Sequence, residues 1–92
     1  MAETTTPTRE TLGRYMVVEL APAQPPSGKT KRWLIRSQSG GDVLGVVSWY
    51  GSWRAYTLEP VSDRRIVFSA DCLEEIVRFL KRVNAEHKGK RG

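Results

Sequence analysis

Side-chain catalysis requires a positioned nucleophile, acid, base or metal, and this sequence holds few residues able to supply one. His87 is the only histidine. It falls where a C-terminal helix should fray, beside Lys88-Gly89-Lys90-Arg91, and reads as a solvated surface group. Cys72 is the only cysteine. It lies in the first helical turn, where the dipole can activate a thiol. No histidine is placed to serve it as base, and small buried cysteines commonly just pack. A single cysteine excludes an intramolecular disulfide and a cysteine metal cage. Asp71, Glu74 and Glu75 read as capping and solvated helix charges rather than metal ligands. Gly40-Gly41 is a flexible turn, and no phosphate-cradling glycine motif with its lysine is present. The residues therefore point away from an enzyme, with no cofactor and no metal expected.

A different chemistry is carried by Trp49-Tyr50-Gly51-Ser52-Trp53-Arg54-Ala55-Tyr56. Flat aromatic faces stack on unpaired bases for about 1–3 kcal/mol each, whatever the base. Arginine adds phosphate contacts and cation–π stacking. Core packing competes with this reading for each ring, because tryptophan and tyrosine also favour strands. Strand alternation divides the cluster. Val47 and Trp49 share one face, and Val46, Ser48 and Tyr50 the other. Past the turn, Trp53 and Ala55 share a face, opposite Arg54, Tyr56 and Leu58. Only part of the hairpin can meet a ligand, and Trp53 with Arg54 is the expected exposed pair.

The elements that position these residues follow from periodicity. Residues 1–12 are polar and threonine-rich and read as a flexible tail. Tyr15–Leu20 is a strand, ended by a loop with three prolines, Pro22, Pro25 and Pro26, which cannot donate to a sheet ladder. Lys31–Ser37 is a second strand, with Trp33 and Ile35 on one face and Arg32, Leu34 and Arg36 on the other. Val43–Tyr50 and Trp53–Glu59 follow, joined at Gly51-Ser52, where glycine can supply a positive φ. Ile66–Phe68 reads as a short further strand. The period then changes to 3.6. Leu73, Ile76, Val77, Leu80 and Val83 form a stripe, with Phe79 beside it. Ser69 or Asp71 can cap this helix, and Asp71 with Glu74 resembles a capping box. The fold class is α+β: a four- to five-stranded antiparallel sheet followed by one C-terminal amphipathic helix. One domain spans residues 13–86, and 87–92 form a basic tail.

Fifteen Lys and Arg against ten Asp and Glu give a net charge of +5, which attracts polyanions. Between Lys29 and Leu58, five basic residues meet one acid, Asp42. No run approaches the roughly 18 apolar residues of a membrane span, and the N-terminus lacks the pattern of a secretory signal. A cytoplasmic location is expected. A packed unit this small is marginally stable alone, so dimerisation would be a natural remedy.

Val47-Ser48-Trp49-Tyr50-Gly51, Arg54-Ala55-Tyr56-Thr57-Leu58, Ile66-Val67-Phe68-Ser69 and Leu73-Glu74-Glu75-Ile76-Val77-Arg78-Phe79-Leu80 together resemble the second half of positive cofactor four proteins. These are small single-stranded-DNA-binding transcriptional coactivators, with compact bacterial and phage members. The resemblance spans residues 30 to 83. It implies a curved four-stranded antiparallel sheet followed by a helix, a homodimer joined through the helices, and single strands lying across the sheets. It makes Trp49, Trp53 and Tyr56 base-stacking candidates, and Lys31, Arg32, Arg36 and Arg54 backbone-binding candidates. The family's longer, lysine-rich glycine segment before the last strand is replaced here by the shorter Val61–Arg65, which implies an altered dimer groove. The sequence is also similar to short uncharacterised phage and bacterial proteins with a like hairpin. The expectation is a sequence-tolerant binder of single-stranded DNA or RNA, a homodimer that works without covalent chemistry. A phage-type regulatory protein that grips a host protein through the same hairpin is the alternative, since tryptophan and arginine also dominate protein hot spots.

Overall fold

The computed structural model describes residues 9–63 and 65–91, with side chains as far as Lys88. Five strands, β1 (Arg9–Leu12), β2 (Met16–Leu20), β3 (Trp33–Ser37), β4 (Val43–Tyr50) and β5 (Ala55–Pro60), precede one helix, α1 (Ala70–Arg91). The strands lie in sequence order, each antiparallel to the next. The fold is thus an antiparallel meander followed by a helix, the expected α+β arrangement.

Period-two alternation decides which side chains meet α1. Met16, Val18, Trp33, Ile35, Val47 and Tyr56 line one sheet face and form a buried cluster with Leu12, Ile76, Phe79 and Val83. Phe79 sets the helix rotation. Its ring meets Trp33 edge-on, with centroids 5.2 Å apart. The buried stripe therefore runs Ile76, Phe79, Val83, and Leu73 and Val77, expected inside it, are exposed. Ser69 is the cap: its hydroxyl accepts the N–H of Cys72 at 3.2 Å and its carbonyl that of Leu73. The Asp71–Glu74 box expected from sequence is displaced by this cap.

Boundaries shift from the sequence reading: β2 opens at Met16, β3 at Trp33 and β5 at Ala55, which leaves Trp53 and Arg54 in the turn. Arg9–Leu12, assigned to the tail, pairs with β2 as β1; residues 1–8 of that tail lie outside the described residues. Only Leu12 of these four is apolar, so the strand depends on tertiary support. Glu10 meets Arg82 of α1 at 2.7 Å, and Gly13 turns the chain at φ 71°. A Cβ on Gly13 would lie 2.8 Å from Cγ of Glu75, so glycine is required twice over. Ile66–Phe68 is unpaired and irregular; Phe68 only leans on the core. Finally, α1 runs on to Arg91 rather than fraying near His87.

Candidate nucleic-acid interface

The β4–β5 turn is longer than a two-residue hairpin. Trp53 N–H donates to Tyr50 C=O and Arg54 N–H to Gly51 C=O. The left-handed residue is Arg54, at φ 52°, and not Gly51. An L-residue held there costs about 1–2 kcal/mol, and non-glycine residues in that region cluster at functional sites. The turn throws Trp53 outward, 72% exposed. Tyr50, 47% exposed, meets it edge-on at 5.0 Å.

The seven expected site residues divide into three groups. Trp53 stands at the tip. Arg32 and Arg36 lie on the open sheet face, as the alternation requires. Both are engaged: Arg32 donates to the Ala23 carbonyl at 3.1 Å, and Arg36 to Glu19 at 2.8 Å and the Gly41 carbonyl at 2.9 Å. Lys31, Trp49, Arg54 and Tyr56 come together on the helix side, around His87.

Tyr56 is a core residue, 5% exposed. Trp33 and Trp49 each meet its ring at 5.3 Å and His87 at 5.8 Å, which leaves no face for a base and removes Tyr56 from the stacking candidates. Its hydroxyl accepts the Lys31 backbone N–H at 3.1 Å, tying the β2–β3 loop to β5. Burial pushes the hydroxyl pKa above its ordinary value, and the Lys31 bond pulls it part of the way back. Trp49 is half-buried, and the His87 ring lies on it at 4.5 Å.

His87 is the residue that sequence reasoning missed. Far from being solvated, it lines two neighbouring grooves. One also holds Lys29, Lys31, Trp33 and Tyr56; the other holds Trp49, Arg54, Asn84 and Lys88. The signal was present: His87 follows Val83 by four residues and so continues the buried stripe. Among the described residues no three His, Cys, Asp or Glu side chains gather to hold a metal ion, and no helix is long and apolar enough to cross a membrane.

These features define a small α+β domain, a meander carrying one long helix, with its chemistry concentrated at one end of the sheet. The chain belongs to the family of the uncharacterised 9.3 kDa protein of Acholeplasma phage L2. The two are 30% identical over 63 residues, covering 68% of this chain and 78% of the phage protein. No protein-family model matches the chain, and no solved structure matches it. The similarity to short phage proteins is thereby shown, and that to positive cofactor four finds no support in these comparisons.

Proposed function

We propose that this protein binds single-stranded nucleic acid without sequence preference and without covalent chemistry, at the β4–β5 turn. The observation that carries the reading is Trp53, held 72% exposed against Tyr50 with Arg54 next to it in a strained conformation. Leaving a large indole in water forgoes roughly 1.5–3 kcal/mol of burial, so its placement at a tip suits a ring that meets a partner. Bases would stack on Trp53 and Tyr50 while Arg54 holds backbone phosphate. A cytoplasmic role in transcription or in phage or host DNA metabolism fits this chemistry. A homodimer belongs to the same reading, with Val67, Leu73 and Val77 as exposed aliphatics available to bury.

The test is a fluorescence anisotropy titration with a labelled single-stranded oligonucleotide at low salt. The wild type should bind, and Trp53→Ala with Arg54→Ala should weaken binding by at least tenfold, given stacking and a charge-assisted contact of about 1–3 kcal/mol each. Undiminished affinity in the double variant would sink the mechanism. A stoichiometric, nuclease-insensitive protein partner, lost in the same variant, would move the hairpin to the protein-binding alternative.

A further inference from the structure

The two grooves that share His87 gather four basic side chains on the helix side of the sheet. Lys29 and Lys31 flank His87 on one side, and Arg54 and Lys88 on the other. They come from three separate elements: the β2–β3 loop, the β4–β5 turn and α1. Glu86 is the one acid lining either groove. Bringing like charges together from three elements costs free energy unless an anion joins them. His87 offers a ring N–H in either protonation state, and its ring is fixed by its contact with Trp49 at 4.5 Å. Trp33 lines the Lys31 groove with its buried indole N–H unpartnered.

We propose that this cleft is a phosphate-binding site, with Arg54, Lys88 and the His87 ring N–H as ligands and Lys29 and Lys31 as supporting charge. The inference rests on the nucleic-acid reading only for where the phosphate comes from. The anion is either the terminal monoester of a strand or a diester within it, and both present the same oxygens.

The experiment follows the His87 ring and Trp49 indole proton resonances while inorganic phosphate is added at constant ionic strength. Saturable shifts are expected, weakened roughly tenfold in Lys88→Gln and in Arg54→Gln, as loss of one charge-assisted bond implies, and retained in Trp53→Ala. Lys88 is exposed, so its replacement leaves the core intact. A second arm compares 5′-phosphorylated with 5′-hydroxyl oligonucleotides. Tighter binding of the phosphorylated strand, levelled by Lys88→Gln, assigns the site to a strand end. Equal binding, weakened for both by Lys88→Gln, assigns it to an internal phosphate. If phosphate leaves the His87 and Trp49 resonances unmoved, the site is overturned, even where the oligonucleotide binds through Trp53. If the shifts occur and Trp53 proves irrelevant to oligonucleotide affinity, the site stands and the stacking reading falls.

Discussion

Tyr56 packs inward from β5 against the rings of Trp33, Trp49 and His87. Its ring type suits base stacking, but its position opposite Trp49 in the β4–β5 register turns it inward, where Trp33 and Trp49 enclose it. Its hydroxyl is then structural, because it accepts the Lys31 N–H. Tyr56→Phe should cost about 1 kcal/mol at neutral pH, the net value of such a bond, read from the denaturant midpoint. The pH dependence has a definite sign. The folded-state pKa lies above the ordinary value of 10.0, so the folded chain holds this proton more tightly than the unfolded chain. The stabilisation is complete below about pH 10 and is lost as pH rises through the folded value. Wild type should therefore lose stability above pH 10 relative to Tyr56→Phe, and the gap between the two proteins should narrow. A constant gap across that range would place the hydroxyl in a wetter site than the structure gives it.

At the scale of elements, most of the architecture was legible and its edges were not. A β-branched run placed β2, and hydrophobic alternation placed β3 and β4 and assigned their faces, because Val, Ile and Trp at every second position admit one burial pattern. β1 was illegible because three of its four residues are polar, and what holds it is tertiary: the ladder with β2, Leu12 in the core and the pair of Glu10 with Arg82. The helix end was misjudged for a related reason. Asn84 weakens helix propensity, and sequence alone cannot show that its side chain has tertiary work. In the fold its Oδ1 accepts the Tyr56 N–H at 2.8 Å and its Nδ2 donates to the Tyr56 carbonyl at 3.4 Å. One amide thus serves the outer edge of β5 as a neighbouring strand would, on an edge that otherwise invites pairing with another chain. Farther along that edge Pro60 has no N–H to offer. Asn84→Ala should cost about 1–3 kcal/mol through the stranded backbone groups. Amide exchange at Tyr56 should accelerate well before global unfolding. Unchanged protection at Tyr56 would mean the edge is satisfied by other means.

Across the whole molecule, charge is divided between the two sides of the sheet. On the open face Arg9, Arg32 and Arg36 sit among acids: Glu19 is 2.8 Å from Arg36 and 4.0 Å from Arg9, and Glu59 lines a groove with Arg32. On the helix side Lys29, Lys31, Arg54 and Lys88 surround His87. A strand lying across the open sheet, as the resemblance to positive cofactor four implied, would have to displace the Arg36–Glu19 pair. A strand passing from the tip into the cleft would meet Lys29, Lys31, Arg54 and Lys88, with Glu86 among them. Salt dependence separates the two paths. For single strands, log K falls against log salt by about 0.7 per phosphate neutralised. The cleft path predicts a slope near −1.4 if Arg54 and Lys88 alone engage, and near −2.8 if Lys29 and Lys31 join them. Lys88→Gln should flatten that slope by about 0.7. Arg36→Gln should leave it unchanged, because its guanidinium is already neutralised by Glu19. If Arg36→Gln flattens the slope and Lys88→Gln does not, the nucleic acid crosses the open face and the cleft has some other use.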